Sequence, residues 1–523
     1  MFLNSNNIAN ATIKRLFFYT LCLIPSGFLL IQKIQYSKFN VDEFQHNYLA
    51  WSSAFLNQVQ YRDMWDNHGI LYTLFNSLML KIFQPEIGLP TLFFERYCSL
   101  GLLMISFFIL LELMFIVFKR PHYACLGGLL LALSSLNLKA IEIRPDNLQC
   151  VFLYLSLVLL FKSLETPEPT KISFQKMAFG AGLSACLMLM VNLKSFSALL
   201  AIFMVLIVRL FFSKSKKHLN TIINMGAGLG LGLIAFALGF MACGLLDEYI
   251  KYNFIFIFKY NHLFNNKHNV LFDAITAQKY YQNNNLEKAL DFFLHDNFFI
   301  STIVISSLLI FLLDSFFINK RNFLQKMILM AIIISCLITR FFGYIYRLQF
   351  DLMYFPLACM IASYVFFRLV ESLLPKRFQK IVIVALLCLL GVIYCQSLKN
   401  INADKEAHGI YLDVFQKRFL AVSSYPTEYI DYYTINNCPG FGFSKNVSFL
   451  FFKYKKAMIT MEEIEKKEIY GQSYIDLLES KKVKLIISTP KGINENPYLI
   501  TRQYIFDNYK YYGCIWERVT PFR

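Results

Sequence analysis

Residues 100–120 read LGLLMISFFILLELMFIVFKR. From Leu100 to Phe118 the only ionisable side chain is Glu112, and the run closes on Lys119-Arg120. A hydrocarbon core of roughly 30 Å takes about 20 apolar helical residues to cross, so this stretch reads as a transmembrane helix with a basic end. The whole chain matches that reading. Its 523 residues are 56% hydrophobic, 17% aromatic and 16% charged, with a net charge of +17 and a mean hydropathy of +0.46. Such a composition excludes an ordinary soluble enzyme and a disordered chain. A nucleic-acid binder displays its Lys and Arg on a polar surface, whereas here they punctuate apolar runs, so no nucleic-acid partner is expected.

Comparable runs lie at 16–31, 123–138, 148–161, 177–191, 196–212, 222–245, 298–318, 324–338, 348–370 and 381–395, giving about 11 transmembrane helices with the first. The opening run follows Lys14-Arg15, contains Pro25 and lacks a small-residue cleavage site, so it reads as a retained span. Alternate loops carry Lys119-Arg120, Lys171 with Lys176, Lys214 to Lys217, Lys320-Arg321 with Lys326, and Lys376-Arg377 with Lys380. The positive-inside rule places these loops in the cytoplasm, with the N-terminus. An odd number of spans puts the C-terminus outside. The run 69–83 is short for a crossing and reads as an interfacial helix. The expected fold is an all-α polytopic membrane domain over 1–396, with external loops at about 32–97 and 246–297. A small extracytoplasmic α/β domain is expected over 397–523, with helix-strand pairs at 473–488 and 497–519.

Ten of the 12 cysteines lie in or beside apolar runs, where Cys acts as a small hydrophobe. Cys438 and Cys514 belong to the terminal domain, where one disulfide and two thiols are both open readings. The glycines of 226–232 sit inside an apolar run without a strand or a following Lys-Ser, so they read as helix-packing residues, not a phosphate loop.

The first external loop carries Asp42-Glu43-Phe44-Gln45-His46 and, further on, Tyr61-Arg62-Asp63-Met64-Trp65-Asp66-Asn67-His68-Gly69. Carboxylates and imidazoles are thus concentrated at the membrane surface. Adjacent Asp42 and Glu43 point in different directions on a helix, so one is expected to reach a reacting atom while the other orients it. A carboxylate placed there can accept a proton from an attacking hydroxyl. Tyr61 and Trp65 are candidates for stacking on a sugar ring, and Tyr72 reads as an interface anchor. His46, Asp66 and His68 are polar ligand types. With Glu43 they outline an imaginable divalent-ion site, and metal is left unassigned.

At these residues the chain resembles the GT-C glycosyltransferases, especially bacterial relatives of protein O-mannosyltransferases and lipid A aminoarabinose transferases. Asp42-Glu43 is similar to their acidic pair after the first span. His68-Gly69-Ile70-Leu71 is similar to their Lys- or His-Pro-Pro-Leu segment, without its prolines. Glu142-Ile143-Arg144-Pro145-Asp146 resembles the second external loop, Leu193-Lys194-Ser195 the Thr-Lys-Gly turn without its glycine, and the segment around Asn261-His262 an Asn-His motif in a later loop.

The resemblance implies inverting transfer of a hexose or pentose from a polyprenyl-phosphate sugar donor to a lipid-linked, polysaccharide or protein acceptor. It places the site on the periplasmic face of a bacterial inner membrane. It makes Asp42 the base or acceptor-positioning carboxylate, Glu43 its competitor and Asp146 a second-loop contact, with His262 toward substrate. A phosphate leaving group needs positive charge, for which Lys194, Arg347 and Arg96 stand at span ends on the same side. Snorkelling to the interface is the alternative reading of each. A polytopic transporter, flippase or polymerase of envelope glycans is the alternative function. It is disfavoured because the acidic groups gather outside the spans and no repeated halves are evident.

Overall fold

The computed structural model describes residues 5–36, 41–55, 57–62, 68–85, 89–119, 126–134, 136–166, 172–213, 215–250, 253–254, 298–315, 322–342, 348–423, 432–434, 441–443, 475, 479, 485–487, 499–512 and 515–521. Its helices are α1 (Ser5–Tyr36), α2 (Val41–Phe55), α3 (Ile70–Phe83), α4 (Leu89–Phe118), α5 (Gly127–Leu133), α6 (Leu136–Ile141), α7 (Asp146–Glu165) and α8 (Ile172–Val191). There follow α9 (Phe196–Ser213), α10 (Lys216–Ala242), α11 (Leu246–Ile250), α12 (Phe298–Leu313), α13 (Phe323–Phe342), α14 (Phe355–Leu373), α15 (Lys376–Ser423) and α16 (Leu499–Asn508). Two 3-10 turns, Leu193–Ser195 and Leu348–Met353, precede α9 and α14.

Seven helices among the described residues, α4, α7, α8, α9, α10, α14 and part of α15, are long and apolar enough to cross a membrane. Leu110, Leu131, Leu153, Phe161, Ala185 and Leu357 form part of one apolar core between them. The outward faces are also apolar, with Phe211, Phe212, Leu231 and Ile381 exposed. That is what a bilayer solvent selects, since lipid tails are no more polar than Leu.

The basic loops gather at one end of this bundle. Lys119 pairs with Glu165 at 2.5 Å, Lys217 Nζ donates to the Leu164 carbonyl, Asn322 Nδ2 donates to Val117 O at 2.6 Å, and Lys326 pairs with Asp314 at 3.3 Å. These contacts join the C-terminal ends of α4, α7 and α12 to the starts of α10 and α13. The other ends of these helices, and the C-terminal ends of α1 and α8, therefore face the opposite side.

The structure corrects four sequence readings. The run at 123–138 is not one span: α5 stops at Ser134, whose backbone is extended and whose hydroxyl donates to Leu131 O at 2.7 Å, leaving two pieces each too short to cross. The run at 348–370 opens as a 3-10 turn, and its helix starts at Phe355 because Pro356 is accommodated only in a first turn. Helix α4 starts at Leu89 rather than near residue 100, so Glu95 and Arg96 lie inside it. The expected strand at 511–519 is instead an antiparallel pair, β4 (Tyr509–Tyr512) and β5 (Ile515–Arg518). They join β1 (Tyr432–Thr434), β2 (Phe441–Phe443) and β3 (Leu485–Ile487) in a sheet of order β2-β1-β3-β5-β4, with only β1 and β3 parallel. Helix α15 runs through residue 396 without a break. Cys438 and Cys514 lie outside the described residues.

Helix α3 is inverted relative to a soluble amphipathic helix. Tyr72, Thr73, Asn76 and Ser77 are buried, while Leu74, Leu78, Ile82 and Phe83 are exposed. An apolar exterior over a polar interior suits a short helix lodged against lipid. Its start is fixed by Gly69, whose N–H donates to Val191 O at 3.1 Å, and a Cβ there would stand 1.7 Å from Met190 O. Gly228 on α10 is pressed as closely on α8, where a Cβ would stand 2.1 Å from Phe179 O. Within the glycine-rich run Gly226 and Gly230 face open space, while Gly228 and Gly232 thus pack α10 on α8. Because neither backbone can yield a full methyl, Gly69→Ala is expected to destabilise the folded protein by about 3 kcal/mol, measured by reversible unfolding in mixed micelles.

Candidate functional site

At the end of the bundle opposite the basic loops, Glu43 on α2 and Arg96 on α4 are locked together. Arg96 Nε and Nη2 donate to the two Glu43 oxygens, both at 2.7 Å, and Nη1 donates to Ile34 O at 3.1 Å. Ile143 N donates to Glu43 Oε1 at 3.2 Å. Both side chains are essentially inaccessible. One bidentate pair therefore fastens the end of α1, the start of α2, the second turn of α4 and the loop before α7. The two residues expected as competing base and phosphate ligand meet each other.

Beside this clamp, Asp146 opens α7, where the helix dipole favours a carboxylate. Its oxygens lie 3.5 Å from Arg144 Nε and 3.6 Å from Lys194 Nζ, yet neither makes a hydrogen bond among the described residues, and the side chain is 2% exposed. Arg144 also donates to Glu142 at 3.0 Å, and Lys139 reaches the other Glu142 oxygen at 2.5 Å. Three cations thus surround two carboxylates. Lys194, about 20% exposed, is held in place by local chemistry: the Asn192 side chain accepts from Lys194 N at 3.1 Å and caps the 3-10 turn. Gln149 Nε2 then ties that turn to α7 through Asn192 O, at 3.2 Å.

His46 is buried, with its ring 4.9 Å from His68 and 5.5 Å from Tyr72, both edge-on. His68 O accepts from the Tyr61 hydroxyl and from Gln60 Nε2 at 3.2 Å. Tyr61 is fully buried against Phe240 and Tyr249, so it packs the core instead of presenting a ring to a sugar. Tyr72 is buried too, facing Ser99 on α4 rather than the interface, because its helix carries the polar face inward. Among the described residues no three His, Cys, Asp or Glu side chains are grouped to hold a metal ion. Asp42 falls on α2, but its side chain lies outside the described set, as do Trp65, Asp66, His262 and Arg347 entirely.

Several residues at this end were not singled out from sequence. Arg144 was quoted in its motif but given no role. Glu95 is buried one position before Arg96, and Asp351 is buried on the 3-10 turn, beside Cys336. Ionisable residues in otherwise apolar runs, as at Glu95-Arg96 and Asp351, are the signal that points to them. Cys150 and Tyr154 on α7 anchor that turn by donating to Leu352 O at 3.3 Å and Met353 O at 3.0 Å. Removing one partner of a buried ion pair strands the other charge, so Arg96→Met is expected to cost about 4 kcal/mol of stability. The double variant Glu43→Gln/Arg96→Met should recover a large part of that loss in the same unfolding measurement.

No family model matches the chain, and no curated protein matches it. Solved structures do. The oligosaccharyltransferase of Archaeoglobus fulgidus in its apo form aligns at a TM-score of 0.52 and 12% identity, over 90% of this chain and 69% of that one. The same enzyme tethered to an acceptor peptide aligns at 0.52 and 11% identity, over 97% and 74%. ArnT of Cupriavidus metallidurans bound to undecaprenyl phosphate gives 0.49 and 10%, over 94% and 85%. The chain shares its fold, the GT-C fold, with the archaeal oligosaccharyltransferase.

Proposed function

We propose that the protein is a membrane glycosyltransferase that moves a sugar from a polyprenyl-phosphate carrier to a cell-envelope acceptor, at the bundle end holding Asp146 and Lys194. The observation that carries this reading is the Asp146 carboxylate, buried between two cations with neither oxygen hydrogen-bonded among the described residues. Buried carboxylate oxygens ordinarily find donors. A sugar or acceptor hydroxyl supplies them, and the excess positive charge around it suits a phosphate.

In the proposed reaction an acceptor hydroxyl attacks the anomeric carbon as the bond from that carbon to the phosphate oxygen breaks. The hydroxyl proton passes to the Asp42 carboxylate, and the lipid phosphate departs with the bonding electrons. Attack from the face opposite the phosphate inverts the anomeric centre. Lys194 and Arg144, with the N-terminus of α7, stabilise the charge that develops on the phosphate. Glu43 and Arg96 do not touch the reacting atoms in this scheme; they fix the α2 backbone that carries Asp42. The lipid tail stays among the helices, sparing its transfer to water. The site faces the periplasm in this reading, with the basic end in the cytoplasm. A divalent ion has no assigned holder here, and no step passes through one.

The test is a reconstituted assay with a panel of radiolabelled polyprenyl-phosphate sugars. Asp146→Asn is expected to lower kcat by about a hundredfold or more, and Asp42→Asn by about a hundredfold. Lys194→Met should raise KM for the lipid donor roughly tenfold, with a smaller change in kcat. Undiminished transfer by both Asp variants, or labelled lipid crossing the bilayer without sugar transfer, overturns the proposal.

A further inference from the structure

A second polar cluster lies between α2, α3 and α4, apart from the Asp146 site. Glu95 is fully buried in it. Asn47 Nδ2 donates to Glu95 Oε2 at 2.5 Å, whereas Glu95 Oε1 makes no hydrogen bond among the described residues. Asn47 Oδ1, in the same sandwich, lacks one as well, and the Tyr72 and Ser99 hydroxyls interact with each other. Tyr72 stands beside Glu95, Ser99 and Asn76, and Ser99 lies one helical turn beyond Glu95 on α4. The charges nearby do not serve this carboxylate. Arg96 is turned to Glu43, both of whose oxygens it engages, and Glu43 adds a second negative charge to the neighbourhood of Glu95.

Two buried acceptor oxygens without a donor among the described residues, one of them a carboxylate's, set beside two hydroxyls, form an arrangement that is costly when dry. His46 and Cys98 adjoin this cluster, but no three His, Cys, Asp or Glu side chains among the described residues are grouped to hold a metal ion, and the oxygens on offer are those of a carboxylate, an amide carbonyl and two hydroxyls. Hard cations take such oxygens. The charge selects among them: one carboxylate is neutralised by one positive charge, and a divalent ion leaves the buried site with an excess. We propose that Glu95, Asn47, Tyr72 and Ser99 form a binding site for a single monovalent alkali cation, of the sodium class. Bound there, the ion joins α2 and α3 to α4 one position from the Arg96 clamp, and so sets the placement of the segment bearing Asp42 and Glu43. The inference does not rest on the proposed transfer reaction.

The experiment uses the full chain in detergent, with thermal unfolding followed in choline chloride as sodium, lithium or potassium chloride replaces it at constant ionic strength. A saturable rise in Tm with one of these cations is expected. In Tyr72→Phe the cation concentration at half-effect should increase about tenfold, the loss of one ligand, while in Glu95→Gln the response disappears. Retention of radioactive sodium at one ion per chain, displaced by the preferred cation, is the direct readout and covers the case of a Glu95→Gln protein that does not fold. Identical Tm in all salts together with no retained sodium overturns the proposal and assigns neutralisation of Glu95 to a proton. A Glu95→Gln protein that responds to cations as the native chain does overturns it equally.

Discussion

The bidentate contact between Glu43 and Arg96 is the constraint on which this end of the molecule depends. Two opposite charges inside a membrane bundle are tolerable only when each satisfies the other and their remaining valences are met. Here the remaining valences are met by backbone, Ile34 O for the guanidinium and Ile143 N for the carboxylate. An interaction between two side chains thereby fixes four pieces of main chain. A hydrophobic pair of similar size would pack these helices, but it would leave the loop before α7 and the end of α1 without their polar anchors.

From that anchor the Asp146 cluster follows by short steps. Ile143 is held at Glu43, and Asp146 lies three residues later at the start of α7. Asn192 at the end of α8 turns Lys194 back onto it. The same end of α8 receives Gly69, which places His68 beside His46. Segments distant in sequence thus meet because each one terminates a helix on the same side of the bundle. The basic loops occupy the other side for the complementary reason, that Lys and Arg stay where water and counter-charges reach them.

The polar interior between α2, α3 and α4 is a different matter from this network. Helix α3 shows an apolar face outward, and amides, hydroxyls and a carboxylate from the three helices meet inside, the reverse of a soluble bundle. Such an interior holds its register through directional contacts, and each unfilled valence in it is a place for a small ligand.

Composition and apolar run length were enough to decide from the chain alone that it is a polytopic helical protein, because crossing hydrocarbon demands about 20 apolar residues in a row. The alternation of basic loops was legible for the same reason, and so was the gathering of ionisable side chains around Glu43 and Asp146. Run length, however, does not see a broken helix: Ser134 and the turn before Pro356 divide stretches whose hydropathy is continuous. Nor does a residue type reveal its partner. Glu43 and Arg96 carried separate roles until tertiary structure placed them 2.7 Å apart across 53 residues of sequence, and Tyr61 and Tyr72 passed for surface aromatics until packing enclosed them. Pairing between distant helices is a property of the packed bundle, since the charge that meets a given charge is chosen by which helix ends share a side and how closely their backbones approach.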